Sequence, residues 1–186
     1  MANVAIFDAC VLYSAPLRDF LLRLGRAGVV QPRWSDLILD ECFRSILQNR
    51  PDLSEASLAR TRTVMNVAFP SALVEGFEQL IAASALPDAD DRHVLAAALH
   101  SHASTIVTFN LKDFPASVLE PLGVAAVHPD DFVLERIADG LGPVQAAIAK
   151  QAADLTRPPG TIHDVLERLQ DCGLPRSVAK LRAEMA

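Results

Sequence analysis

Two short apolar runs, VAIF at residues 4–7 and TIVTF at residues 105–109, most constrain what this chain can fold into. Both are nearly free of polar residues, which is typical of parallel strands that are buried on both faces. A third apolar run, VAAV, occupies residues 124–127. Stretches with helical spacing separate the three runs. This alternation predicts an α/β fold with a central, mostly parallel sheet flanked by helices.

Caps and helix breakers divide the stretches between these runs. Pro16 suits the start of a helix, and Gly25 and Gly28 suit its end. Ser35 and Ser54 are typical N-cap residues. One helix is predicted to begin at residue 16. Further helices are predicted at about residues 35–48, 54–65, 77–83, 93–102 and 129–139, and a short one after Pro115.

Glycines 140 and 142 mark the predicted end of the α/β unit. The residues after them contain no strand-like run, and helical segments are predicted at 144–155, at 161–172 and after Pro175. We therefore expect one domain at residues 1–140 and a small α-helical extension at residues 141–186. The extension has an apolar helix face that must pack on something. This face consists of Val165, Leu166, Leu169 and Leu174.

Composition predicts a cytoplasmic protein with no membrane segment. No stretch approaches the roughly 18 uninterrupted apolar residues of a membrane helix. The first apolar run meets Asp8 too early for a signal peptide. Cys10, Cys42 and Cys172 are scattered and form no C-x-x-C pair. This arrangement favours reduced thiols, which we expect to be small buried hydrophobic residues.

The formal net charge of −6 is at first sight unfavourable for a nucleic-acid ligand. The charge is unevenly distributed, however, because arginines outnumber acids in residues 18–62 and acids outnumber basic residues in residues 71–140. Such a division allows one face to bind a polyanion while carboxylates gather at a metal site. Solvated helix faces produce the same pattern, so charge alone leaves both interpretations open.

Polar residues follow the predicted strands, where ligands of an open α/β sheet bind. Asp8 follows the first run, and Thr108, Asn110 and Asp113 lie at and after the end of the second. Two further candidates lie in predicted helices, Glu41 in the second helix and Asp91 in the first turn of the helix before the second run. Carboxylates that approach one another repel unless a cation is present. Oxygen ligands suit Mg²⁺ or Mn²⁺, not zinc. Phosphodiester hydrolysis is the reaction class that uses such an ion.

Each acid also has a purely structural interpretation. Asp91 can serve only as a helix N-cap, and Glu41 can be a surface residue. Asp88 and Asp90 are rivals of Asp91 for the third acid. Asp91 is preferred because its helix then continues with Val94, Leu95 and Ala98 on the buried side.

The sequence resembles the PIN domain, the fold of VapC-type toxins and related nucleases, over about residues 3–135. The resemblance rests on VAIFD at 4–8, WS at 34–35 leading to Glu41, PDADDRHVLAAA at 87–98, and IVTFNLKDF at 106–114. On these motifs the family's four acids match Asp8, Glu41, Asp91 and Asp113, and a polar pair lining its pocket matches Thr108 and Asn110.

The resemblance implies Mg²⁺- or Mn²⁺-dependent endoribonuclease cleavage, usually by the toxin of a toxin–antitoxin pair that a small partner protein holds inactive. All four acids would hold the metal or its waters, with Glu41 orienting or deprotonating the attacking water. Arg18, Arg44 and Arg92 are candidates for the RNA backbone because they lie close to the acids in sequence. The tail helices are expected to dimerise, to cover the groove or to bind the antitoxin.

The chain departs from the family pattern at two positions. Many members have Asn at the position of Cys10, so a hydrogen bond is expected to be missing there. Many have Asp at the position of Asn110, which leaves one negative charge fewer near the metal. The alternative function is a non-catalytic PIN-like module that binds RNA or protein. Retention of all four acids favours the enzyme, since fold alone does not decide function.

Overall fold

The computed structural model describes residues 3 to 185, which form four β-strands and eleven α-helices. The strands are β1 (Asn3–Phe7), β2 (Val30–Arg33), β3 (Thr105–Val107) and β4 (Ala125–Val127). The helices are α1 (Ala9–Leu12), α2 (Ala15–Arg26), α3 (Asp36–Asn49), α4 (Glu55–Ala68), α5 (Glu78–Ile81), α6 (Arg92–His100), α7 (Ala116–Leu119), α8 (Pro129–Asp139), α9 (Leu141–Asp154), α10 (Ile162–Asp171) and α11 (Pro175–Met185). Two 3₁₀ turns lie at Leu111–Asp113 and Glu120–Leu122.

The strands form a parallel sheet in the order β2-β1-β3-β4, which confirms the predicted fold class. The register pairs Phe7 with Val107, and Val107 with Val127. These three residues end their strands, so the residues that follow them emerge at one edge of the sheet. The backbone continues this alignment for one more step, because Asp8 N donates to Val107 O at 3.1 Å.

The prediction of three strands was wrong, because β2 lies between α2 and α3. Its sequence, VQPR, alternates buried and more exposed residues and contains Pro32, which disfavours a strand in the interior of a sheet. β2 is the first strand in the sheet order, and an edge strand tolerates a missing N–H donor. Its position therefore explains why a proline is accepted.

Local capping signals located most helix starts correctly. The hydroxyl groups of Ser35, Ser54 and Thr161 each accept a hydrogen bond from a backbone N–H in the first turn that follows. The expected break at Gly142 and Pro143 was wrong, since α9 begins at Leu141 directly after Gly140. Pro143 is tolerated because it lies in the first turn, where its missing N–H has no intrahelical partner.

The tail helices pack on the rest of the chain. Helix α9 packs on α2 and α8, α10 on α9 and α2, and α11 on α8 and α10. The predicted apolar face is buried in one hydrophobic cluster that also contains Ile6 and Phe7 of β1. That face is therefore satisfied within the chain and is not open to an antitoxin or a second copy. The division at residue 140 stays a prediction. Among residues 3 to 185, no helix is both long and apolar enough to cross a membrane.

Candidate active site

Asp8 is the fixed point of the site. It follows β1, is buried, and occupies the N-cap position of α1. Its Oδ1 accepts a hydrogen bond from Ala9 N at 2.7 Å, and its Oδ2 accepts from Thr108 Oγ1 at 2.7 Å and from Cys10 Sγ at 3.1 Å. Burial raises the pKa of Asp8 against the effect of these three hydrogen bonds, and the charge of Glu41 raises it further. The carboxylate is thus held in one orientation.

Thr108 and Cys10 connect Asp8 to the loop after β3. The fully buried Thr108 hydroxyl donates to Asp8 and accepts from Asn110 N at 3.0 Å. The Cys10 thiol donates to Asp8 and accepts from Phe109 N at 3.4 Å. Burial, followed by the charge of Asp8, raises the pKa of Cys10 to about 12, so the sulfur keeps its proton at neutral pH.

The behaviour of the cysteines differs from expectation. The hydrogen bond expected to be missing at Cys10 is present, because a thiol takes the donor role there. Cys42 is buried as expected, whereas Cys10 and Cys172 are only partly buried. Cys172 Sγ lies 2.8 Å from Ser14 Oγ, so it too has a polar partner.

Asp91 lies beside the other acids. It occupies the N-cap position of α6, but within the described chain its side chain makes no capping hydrogen bond, so the purely structural interpretation is not supported. The pKa of Asp91 is raised to about 6. Burial is the largest cause, and the other causes, in decreasing order, are the charges of Asp8, Asp113, Asp88 and Glu41. The four candidate acids therefore share one electrostatic environment.

The rival acids have other positions. Asp88 and Asp90 are both exposed, and Asp88 Oδ1 accepts a hydrogen bond from Asp90 N at 2.9 Å within the turn before α6. Asp88 is close enough to raise the pKa of Asp91, though less than Asp8 and Asp113 do. Asp91 is the more buried of the three, which favours it as the third acid.

Asp113 and Asn110 come from the loop after β3. Asp113 is partly exposed at the end of the 3₁₀ turn, and its backbone N donates to Asn110 O at 3.0 Å. Asn110 is exposed. The buried Phe114 follows immediately and anchors this loop in the core. Both polar side chains therefore stand at the rim of the site, in contrast to Asp8 at its base.

Glu41 faces a histidine that sequence reasoning missed. Glu41 lies on α3 with its side chain 46% exposed, and its Oε2 is 3.4 Å from Nε2 of His93, whose side chain is 14% exposed. Among the described residues, His93 Nδ1 is buried and has no hydrogen-bond partner. Glu41 also lines a cavity of about 290 Å³ together with Cys10, Tyr13 and Ser45. In the sequence His93 is notable only for its position two residues after Asp91, which does not reveal its contact with Glu41.

The three candidate arginines lie in different surroundings. Arg92 follows Asp91, and its buried Nε has no hydrogen-bond partner within residues 3 to 185. Arg44 is exposed and lines a groove between α3 and α4 instead. Arg18 donates from Nη1 to Leu12 O at 2.6 Å, and burial lowers its pKa. Arg18 therefore stabilises the end of α1.

The acids fit a divalent cation by chemistry more than by preassembled geometry. Within residues 3 to 185, no three His, Cys, Asp or Glu side chains converge closely enough to form a ready metal site. Burial, and after it the charges of the neighbouring acids, raise the pKa of Asp91, and a cation would offset that repulsion. Mg²⁺ commonly binds to one or two carboxylates and keeps several waters. Such partly hydrated binding suits acids that influence one another's charge without converging on one point.

Comparisons with known proteins found two matching family models and a similar relative. A family model described as "PIN domain" matches residues 4–112, and one described as "VapC50 C-terminal domain" matches residues 129–183. The chain is also similar to the "Putative ribonuclease VapC50" of Mycobacterium tuberculosis (strain ATCC 25618 / H37Rv), with 39% identity over 112 residues. This match covers 60% of the chain and 65% of that relative, which is less than two thirds of its length. No solved structure matches the chain.

Proposed function

This chain belongs to the PIN-domain family, and from that premise we propose that it is a Mg²⁺- or Mn²⁺-dependent endoribonuclease, the toxin of a type II toxin–antitoxin pair. The observation that carries the proposal is the buried Asp8 carboxylate, held by three donors at the carboxyl edge of the sheet. Asp91 supports it, because its pKa is raised by burial first and then by the charges of Asp8, Asp113, Asp88 and Glu41. Repulsion between neighbouring carboxylates does not stabilise a fold. Carboxylates placed close together are useful, however, in a site that binds a cation and a phosphate.

The acids divide the work according to their surroundings. Asp8, Asp91 and Asp113, with Glu41 nearby, would hold the ion directly or through water. When bound, the ion would stabilise negative charge on the phosphate and make a water molecule easier to deprotonate. Asp8 supplies a preorganised oxygen because three donors fix its carboxylate.

Glu41 is the candidate for orienting or deprotonating the attacking water. Its side chain is half exposed, so water reaches it. His93 lies against one of its carboxylate oxygens and restricts how the group can turn. A base must lie within hydrogen-bond reach of the proton that it takes, and this arrangement keeps Glu41 at the mouth of the cavity.

RNA contacts are assigned to the exposed groups. Thr108 is fully buried and the hydrogen bonds of its hydroxyl group are all internal, so it positions Asp8 and does not contact phosphate. Asn110, exposed at the rim, and Arg92, which is partly exposed and follows Asp91 in the chain, are the groups that can meet the RNA backbone. Arg44 is in a position to contact more distant phosphates, along the groove between α3 and α4.

An antitoxin partner is proposed as part of the same function. An exposed apolar surface on α4 supports a protein partner, because Val64 and Val67 are 60% and 73% exposed. Val64 also lines a cavity of about 450 Å³ between α2, α4 and α9. A second copy of the chain competes for the same surface, and the oligomeric state of the purified protein distinguishes the two.

The test is cleavage of total RNA by purified protein in Mg²⁺ or Mn²⁺ and in EDTA. We expect cleavage only with metal, and a loss on the order of 100-fold in Asp91→Asn, which keeps the size of the side chain but removes its charge. Asp8→Ala should also abolish cleavage. The matched variant Asp88→Asn changes the rival acid and should stay within about threefold of wild type.

Other results would redirect the proposal. A larger loss in Asp88→Asn than in Asp91→Asn would exchange their roles. If the folded protein binds Mn²⁺ yet cuts none of a varied set of RNAs, the non-catalytic binding module replaces the enzyme.

A further inference from the structure

We propose that the turn between α10 and α11, residues 172–174, is a positioning element of the nuclease site. It contacts the loop after β3, which carries Asp113, through Gly173, and the chain that follows Asp8 and α1 through Cys172. This inference rests on the proposed nuclease function and extends it, because it gives the helical tail a part in the reaction. Gly173 and Phe109 are the positioning residues.

Gly173 packs against Phe109. A Cβ atom added at Gly173 would lie 2.9 Å from Phe109 Cε1 and 3.4 Å from Phe109 Cζ, so only glycine permits this approach. The edge of the same ring meets His128, with ring centroids 5.1 Å apart and an interplanar angle of 80°. The Phe109 ring therefore packs between the turn at residues 172–174 and His128, the residue after β4.

The position of Phe109 matters because its neighbours belong to the site. It lies between Thr108, which donates to Asp8, and Asn110 at the rim. Its own backbone N donates to Cys10 Sγ, and that thiol donates to Asp8. Any displacement of Phe109 is therefore transmitted to the orientation of Asp8 and to the loop that carries Asp113.

Cys172 contacts the other segment. Its Sγ lies 2.8 Å from Oγ of Ser14, the N-cap residue of α2. Ser14 comes two residues after α1, the helix that Asp8 caps. The tail turn therefore touches the chain after β1 and the chain after β3 at once.

The turn is itself held rigidly. The buried Asp130 accepts hydrogen bonds from Arg176 N at 3.0 Å and Ser177 N at 2.8 Å, and Ser177 Oγ donates to Asp130 O at 2.8 Å. Leu169 and Leu174, on either side of the turn, are buried in the core. These contacts fix the start of α11 to α8. The turn is therefore rigid enough to restrain the position of the Phe109 ring.

The test compares Gly173→Ala with Gly28→Ala. Both glycines have a positive φ, +93° and +73°, so alanine strains the backbone at each. At Gly28, however, the added Cβ meets nothing within 4 Å. At a temperature well below both unfolding midpoints, we expect kcat for RNA cleavage to fall about tenfold in Gly173→Ala with KM within twofold of wild type. Gly28→Ala should keep kcat within twofold.

Rescue distinguishes positioning from general damage. In the Gly173→Ala background, Phe109→Leu shortens the side chain that the new methyl group strikes, and we expect kcat to recover at least threefold relative to Gly173→Ala alone. The proposal is overturned if Gly173→Ala loses no more activity than Gly28→Ala, or if the second substitution brings no recovery.

A second readout needs no activity. Amide hydrogen exchange in residues 108–113 should accelerate in Gly173→Ala and not in Gly28→Ala. If the wild-type protein cuts no RNA, the proposed function fails, while faster exchange confined to Gly173→Ala still supports the positioning element. Unchanged exchange in that segment overturns it whether or not the protein is a nuclease.

Discussion

Asp8 and Asp91 carry the same functional group, but their surroundings suit them to different tasks. Three donors hold Asp8 at the base of the site, so its carboxylate is oriented before any ion arrives. Asp91 is partly exposed, and its pKa responds to the charges of its acidic neighbours. Asp8 is therefore held in one orientation by hydrogen bonds, whereas burial and, after it, the charges of neighbouring acids set the protonation of Asp91.

The raised pKa of Asp91 predicts a pH-dependent stability in the absence of metal. Between its ordinary value of 3.8 and its folded value of about 6, the folded protein keeps a proton that the unfolded chain has released. Stability therefore falls as the pH rises through this window. Asp91→Asn removes the penalty. In EDTA at pH 7 we expect the variant to be more stable by about 1 kcal/mol, after reduction for solvent screening at a partly exposed side chain.

Urea denaturation in EDTA at pH 4.5 and pH 7 measures this effect. The difference in the free energy of unfolding between Asp91→Asn and the wild type should be small at pH 4.5, where Asp91 is mostly protonated, and larger at pH 7. Equal differences at the two pH values would show that Asp91 does not carry the charge penalty. Glu55→Gln, an exposed substitution in the first turn of α4, controls for the loss of one negative charge.

The site illustrates which residues a sequence can identify. Three of the four candidate acids follow strands or begin a helix, and the PIN-like motifs order them along the chain, so a sequence can nominate them as candidates. His93 could not be nominated in this way, because its significance depends on Glu41 reaching it from a different helix. The role of Cys10 was also missed, since a thiol beside a carboxylate is a donor whereas most buried cysteines behave as hydrophobic residues.

At the scale of helices and strands, the accurate predictions were those with local causes. Ser35, Ser54 and Thr161 cap helices through atoms within three residues of themselves, and all three were predicted as helix starts. β2 was missed because its existence depends on pairing with β1, residue by residue from Asn3 with Val30. Its own four residues, with Pro32 among them, favour no strand in isolation.

Helix α11 offers a test at this scale. Asp130→Ala removes a buried carboxylate that accepts hydrogen bonds from the first N–H groups of α11. We expect a loss of about 2 kcal/mol in the free energy of unfolding, because those N–H groups are left without their acceptor. Asp131→Ala is the matched control at the next position, since Asp131 is half exposed and its ion pair with Arg176 lies at the surface.

Urea titration of the two variants decides the matter. The control should lose about 0.5 kcal/mol or less, as is usual for a surface ion pair. Equal losses would mean that the Asp130 cap contributes nothing beyond an exposed charge. In that case the tail turn would also lack the fixed base that its positioning role requires.

For the molecule as a whole, the question is whether residues 1–140 stand alone. Separate family models match residues 4–112 and 129–183, which favours a modular history. The packing favours interdependence, because Val144 and Ile148 of α9 are fully buried in the same hydrophobic cluster as Leu17 and Leu21 of α2. The boundary predicted at residue 140 therefore separates segments that share one continuous hydrophobic core.

We therefore expect a chain truncated after residue 140 to lose its cooperative fold. Truncation would expose the apolar side of α2, on which α9 and α10 pack, and the face of α8 on which α11 packs. Uncovering several fully buried side chains at about 1.5–3 kcal/mol each exceeds the stability of most domains. Size-exclusion chromatography and urea denaturation of the fragment should show aggregation or a broad transition. Adding residues 141–186 as a separate chain should restore a soluble complex. If the fragment of residues 1–140 is instead monomeric and unfolds at the midpoint of the full-length chain, the tail is a separate domain.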